Sequence, residues 1–163
     1  MQHKSFETMN CSIAQTLEVV GEWWSVLIVR DAFLGVTRFD DFHQRLGISR
    51  NILTSRLEHL VERGILEKSA YQEHPVRFDY HLTEKGRDLW VVLAAMRQWG
   101  DRWEAPDGPP VVMQHDTCGH IGPFIPICEG CGEPLTRAEL IPLAGPGALP
   151  GQAPLPVSSA RQG

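Results

Sequence analysis

The chain has 163 residues, 42% of them hydrophobic, about one domain in length and with enough apolar material to bury a core. A formal net charge of −5 excludes nucleic-acid binding by bulk basicity, so any phosphate contact has to come from a local cluster of Lys and Arg. The longest apolar stretch, in Trp23 to Leu34, is broken by Ser25, Arg30 and Asp31, short of the roughly 20 residues of a membrane span; with no secretion pattern in MQHKSFETMNC, the expectation is a soluble, cytoplasmic protein with no membrane partner.

After an arm over residues 1–10, Ser12 is expected to cap a helix to about Val20, with Ile13, Ala14, Leu17 and Val20 on one side. Gly21 interrupts it. Trp23 to Leu34 is apolar on nearly every side, which predicts a helix buried in the centre of the domain, ended by Gly35. A third helix is expected over Arg38 to Leu46, where Phe39, Phe42 and Leu46 share a stripe, and Gly47 closes it. Ser49 then caps a fourth helix to about Arg63, stopped by Gly64. Helix, glycine-containing turn, helix is a compact supersecondary unit.

Ile65 to Ser69 and Val76 to Leu82 read as short strands around the loop AYQEHP, a hairpin that forms a wing. Thr83 is expected to cap one long helix to about Trp103. Its stripe of Leu89, Val92, Leu93, Met96, Trp99 and Trp103 is longer than one small domain can cover. Pro106, Gly108, Pro109 and Pro110 mark a linker over 105–113. A Cys-containing segment follows over 114–142, then a Gly- and Pro-rich flexible tail over 143–163. The fold class is mainly α with a small β-hairpin wing: a winged helix-turn-helix domain over 11–104, with a small zinc-ribbon-like segment and tail behind it.

On the fourth helix, Leu53, Leu57, Leu60 and Val61 fall on the buried side, opposite Asn51, Thr54, Ser55, Glu58 and Glu62. The first half of such a helix enters the major groove of double-stranded DNA, so Asn51, Thr54 and Ser55 are the base-edge candidates. Ser49, Arg50 and Arg56, with Arg38 from the preceding helix, suit backbone phosphates. In the wing, His74, Arg77 and Gln72 are candidates for the minor groove or its phosphates. The competing reading makes Arg50 and Arg56 mere surface ion pairs; helix spacing, cap and wing agree on DNA.

At these residues the chain resembles the HxlR-type family of bacterial transcriptional regulators, related in fold to the MarR group. The resemblance runs from Cys11 to about Trp103 and rests on CSIAQTLEVVGEWW, RFDDFHQRLGISRNILTSRLEHLVERGILEK, PVRFDYHLTEKG and the pair Trp99–Gly100. It implies a homodimer on paired half-sites, its seam made by the N-terminal helix and the Thr83–Trp103 helix, and most often a repressor answering to a small-molecule or redox effector. Glu22 departs from the family, which usually carries lysine there. Several members sense oxidants or electrophiles through an N-terminal cysteine matched by Cys11. Its place before a helix N-terminus favours a thiolate, the alternative being a thiol that packs the dimer seam.

The other three cysteines lie in HDTCGHIGPFIPICEGCGEPL, which holds an HxxCG and a CxxCG knuckle. Each turn brings two side chains toward one point, so His115, Cys118, Cys128 and Cys131 are the candidate ligands of a structural zinc, with His120 as a substitute for His115. The alternatives are a metal-free hairpin of reduced cysteines and a Cys128–Cys131 disulfide. The leading functional expectation is a sequence-specific DNA-binding regulator that is not an enzyme. A zinc-ribbon protein-interaction adaptor and a CxxC thiol redox enzyme are the competing classes, the latter weakened because Glu129 to Pro134 reads as a turn and not as the start of a helix.

Overall fold

The computed structural model describes residues 5–136 and 140–149. The chain divides into two units, Met1–Asp107 and Gly108–Gly163. Within the first, the order is α1 (Ser12–Val20), α2 (Trp23–Phe33), α3 (Phe39–Leu46), α4 (Arg50–Glu62), β1 (Leu66–Glu73), β2 (Val76–Leu82), α5 (Glu84–Arg87) and α6 (Trp90–Trp103). This is the mainly helical winged helix-turn-helix expected.

The core forms where α2, α3, α4 and the start of the wing meet. Ile28, Val29, Phe42, Leu53, Leu57 and Leu60 are all buried there, with Ile48 filling the turn between α3 and α4. Fully burying a side chain of this size contributes roughly 1.5–3 kcal/mol, so these six outweigh any surface ion pair as the determinant of how α4 is held. Asp31 adds a polar tie. Its buried carboxylate accepts from Arg30 Nε at 3.0 Å and from Arg45 Nε at 3.2 Å, fastening the end of α2 to α3.

Four local expectations are corrected. Cys11, extended at φ −147°, occupies the cap of α1, and Ser12 is the first helical residue. Helix α2 is not buried all round: Ile28 and Val29 face the core, but Trp23 stays open to solvent. The polar stretch expected as the wing loop is strand instead, because Ala70 to Glu73 pair with Val76 to Phe78 and leave only His74 and Pro75 as the turn. A register irregularity between Ala70 and Gln72 takes up Tyr71 as an extra residue, a bulge that bends the ribbon.

Last, the long helix from Thr83 is two. Thr83 Oγ1 accepts from Gly86 N at 3.0 Å and donates to Gly64 O at 2.6 Å, which ties the short α5 to the end of α4. Gly86 is buried against the Ile65 carbonyl, where a Cβ would clash with backbone; this close approach fixes α5, and α6 sets off anew after Leu89. Leu89 and Leu93 pack on the core, while Val92, Met96, Trp99 and Trp103 stay exposed.

In the second unit, two single-bridge hairpins hold the backbone, one pairing Gln114 with Ile121 and the other Ile127 with Pro134. Of the expected tail, residues 150–163 lie outside the described residues, as do residues 1–4 of the arm. No helix among the described residues is long and apolar enough to cross a membrane.

Candidate nucleic-acid interface

The presentation of α4 begins with backbone geometry. Gly47 takes φ +65°, a left-handed conformation that glycine adopts without a Cβ penalty, and this ends α3 in a sharp turn. Ser49 is extended and its Oγ accepts from Ile52 N at 3.3 Å, starting α4. With Leu53, Leu57 and Leu60 buried beneath, Asn51, Thr54, Ser55, Glu58 and Glu62 are exposed. His59 Nε2 lies 3.0 Å from the Val19 carbonyl and links the helix to α1. Burial, followed by the charge of Glu58, pushes the Tyr80 phenol up, so the middle of α4 lies close to the base of the wing.

One residue of this face was missed in the sequence. Ile52 is exposed in the first turn, an apolar side chain of the kind that meets a thymine methyl in the major groove.

The arginines divide into two groups. Arg38, Arg50 and Arg77 collect at the junction of α3, α4 and the wing, with side chains 57%, 63% and 51% exposed. Asp40 joins two of them, at 2.9 Å from Arg50 and 3.8 Å from Arg77. Asp79 lies 3.5 Å from Arg38 Nε, accepts from Thr37 Oγ1 at 3.2 Å, and its residue bridges Arg38 through the backbone. Arg38 also sits 4.6 Å above the Tyr71 ring, and Arg50 5.5 Å from that of Phe39. Neither carboxylate was singled out in the sequence, where Asp40 reads as a helix-start acid and Asp79 as a strand residue.

Arg56 differs from the expectation. It turns toward Glu22, the N-cap residue of α2, at 3.4 Å, and is only 28% exposed. Its position on α4 lies next to the buried stripe, so the guanidinium follows the covered side of the helix instead of the open flank. Glu22, the residue that departs from the family, is therefore the partner that holds it. His74 is exposed at the tip of the wing, and Gln72 Nε2 donates to its carbonyl at 3.0 Å.

Cys11 is exposed at the start of α1, its N–H donating to the Met9 carbonyl at 2.9 Å. Nearby, Glu18 holds the arm: it accepts from Phe6 N at 2.9 Å and Ser5 Oγ at 3.1 Å. The Phe6 N–H bond, aided by Ser5, Arg63 and His59, keeps its carboxyl below the usual range against a smaller opposing effect of burial.

In the second unit the expected four ligands come together as two pairs. His115 Nδ1 lies 3.1 Å from Cys118 Sγ. The Cys128 thiol is held below its usual range by the backbone N–H groups of Cys131 and Gly130, then by the Cys131 side chain. Among the described residues, no three His, Cys, Asp or Glu side chains gather as a metal-holding group. His120 turns its ring over Gly122 and offers its carbonyl to His115 N at 2.8 Å, so it does not join Cys118.

Comparison with known proteins agrees with this geometry. A family profile described as HxlR-like helix-turn-helix matches residues 19–107. An uncharacterized HTH-type transcriptional regulator of Mycobacterium tuberculosis, Rv3095, is 46% identical over 138 residues, 83% of this chain and 87% of its own. The crystal structure of PA1607, described as a candidate transcription factor, superposes with a TM-score of 0.74 at 40% identity, covering 85% of this chain and 97% of that one. The reduced form of the redox regulator HypR gives a TM-score of 0.52 at 31% identity, covering 55% of this chain and 90% of that one. The first two similarities reach past Asp107 into the second unit.

Proposed function

Since the chain belongs to the HxlR-like family of helix-turn-helix transcriptional regulators, we propose that it works as a homodimer whose two α4 helices read paired half-sites of duplex DNA. The observation that carries the reading is the exposed polar face of α4, begun by Arg50, which Asp40 joins to Arg77 of the wing, with Arg38 on Asp79 of the same strand. Asn51, Thr54 and Ser55 address base edges, with Ile52 beside them; the three arginines and the wing residue His74 address phosphates. The protein acts by binding and release, with no catalytic step.

The dimer seam is assigned to α1 and α6. Ile13, Leu17, Met96, Trp99 and Trp103 are exposed large apolar side chains on these two helices, the kind of surface a second copy covers. A redox-responsive form of this reading rests on Cys11, exposed at the start of α1, where oxidation would alter that seam.

The test is selection of bound fragments from genomic DNA, followed by fluorescence anisotropy on the selected duplex. Asn51→Ala and Ser55→Ala are expected to lose about 1–3 kcal/mol each at the bases they read, and to relax preference there. Arg50→Ala is expected to weaken all sequences alike and lower the salt dependence by about one phosphate per half-site. Equal binding to every fragment by the unaltered protein would overturn specific reading.

A further inference from the structure

The cysteine segment of the second unit lies outside the helix-turn-helix and the wing, and its backbone is repetitive. QHDTCGHI over 114–121 and ICEGCGEP over 127–134 are the same hairpin, thirteen positions apart. In the first, His115 N donates to His120 O at 2.8 Å and Gly119 N to His115 O at 2.8 Å; in the second, Cys128 N donates to Glu133 O at 2.9 Å and Gly132 N to Cys128 O at 2.8 Å. The glycine after the second sulfur is left-handed in both, at φ +71° for Gly119 and +76° for Gly132. This turn faces the first and fourth side chains of each knuckle toward each other, as the His115–Cys118 approach of 3.1 Å displays.

The second observation is energetic. Not one described residue of this unit is buried: Val111, Val112, Ile121, Ile125 and Ile127 are all more than half exposed. A segment of this size without a core needs a disulfide, a metal or a partner to hold one conformation. Three thiols and an imidazole constitute a donor set of the zinc type, and four such ligands complete a tetrahedral shell with no position left for substrate.

We propose that His115, Cys118, Cys128 and Cys131 bind one zinc ion, which draws the two knuckles of the second unit together and serves as its core. His115 ligates through Nδ1, the nitrogen already facing Cys118. With Zn–N near 2.0 Å and Zn–S near 2.3 Å, tetrahedral ligands stand about 3.5 Å apart, so that pair opens by only a few tenths of an ångström. The three cysteines enter as thiolates and release their protons to solvent as the ion enters. A Cys128–Cys131 disulfide would staple one knuckle alone and leave the matching His115–Cys118 hairpin unexplained.

The full chain is purified under reducing conditions, and its zinc is counted by elemental mass spectrometry. One zinc per chain is expected for the unaltered protein and for His120→Ala. Less than a tenth of that is expected for Cys118→Ser and Cys128→Ser, and at least tenfold weaker retention against a chelator for His115→Ala. Cobalt(II) added to metal-stripped protein is expected to give tetrahedral d–d bands and a thiolate charge-transfer band. Unchanged helical circular dichroism in the serine variants separates loss of metal from loss of the first unit's fold. Failure of stripped protein to take up zinc or cobalt(II), one zinc per two chains, or a Cys128–Cys131 disulfide in freshly purified protein would each overturn the proposal.

Discussion

Replacing Trp99 with alanine probes the proposed dimer seam, because this side chain lies outside the core cluster of its own chain. Trp99 is 60% exposed. Taking about 230 Å² for a whole tryptophan leaves roughly 140 Å² for a partner to cover, or about 3.5 kcal/mol at ~25 cal/mol per Å². Alanine retains a little of that area, so about 3 kcal/mol is lost per chain and about 6 kcal/mol over the two copies of a twofold interface. Even if the seam covers only half of each ring, about 3 kcal/mol remains, which weakens dimerisation roughly a hundredfold. Sedimentation velocity across a micromolar concentration series is the assay. The unaltered protein is expected to run as a dimer of 18.3 kDa chains, with Trp99→Ala dissociating in that range. A matched loss of operator affinity should follow, since one reading helix then has to bind without its partner. A monomeric unaltered protein, or a Trp99→Ala dimer as tight as the parent, would refute the seam on α6.

Glu22→Gln is expected to release Arg56 from its partner and steepen the salt dependence of DNA binding by about 0.9 per half-site; an unchanged slope in anisotropy titrations would mean that Arg56 stays out of reach of phosphate. Asp31→Asn takes a buried negative charge from Arg30 and Arg45, each 48% exposed and able to regain water, so the expected cost is about 2 kcal/mol in urea denaturation. A change below the error of the fit would remove Asp31 as the tie between α2 and α3. Glu18 has a folded-state pKa below its ordinary value of 4.5, so its hold on the arm is fully present above that value and is lost as pH falls through the lower, folded pKa. The protection factor of the Phe6 amide, its exchange rate relative to an unstructured peptide at the same pH, is expected to fall over that acid window, and Glu18→Gln should show the lower protection already at neutral pH.

What was legible in the sequence followed strong local signals. Gly47, Ser49 and the Leu53, Leu57, Leu60 spacing define the turn, the cap and the buried side of α4 without reference to anything distant. The knuckles were legible for the same reason, as spacing and glycine placement are local properties. The wing was less so: Glu67 to Tyr71 are exposed, and a ribbon that buries neither face leaves no alternation to read. The division between α5 and α6 had no breaker to announce it, because its origin is the packing of Gly86 on the Ile65 carbonyl, a contact across 21 positions. Arg56 was misplaced because the pull on it comes from Glu22, 34 positions away.

The same long-range pairing bears on how a chain of net charge −5 would carry the proposed DNA-reading surface. Asp40 and Asp79 do not cancel the cluster they sit in, since three arginines share two carboxylates and one positive charge is left over. Nor do they lock it. Ion pairs this exposed are worth about 0–1 kcal/mol each, so a phosphate can displace either carboxylate at little cost. What the pairs do supply is a bias in position: Asp40 draws Arg50 of α4 and Arg77 of β2 toward one point, and Asp79 draws Arg38 toward β2, which favours the proposed joint use of helix and wing on phosphates. Affinity without Asp40 should therefore rise for duplexes of any sequence, while discrimination between sequences falls, because phosphate contacts add binding and their placement adds register.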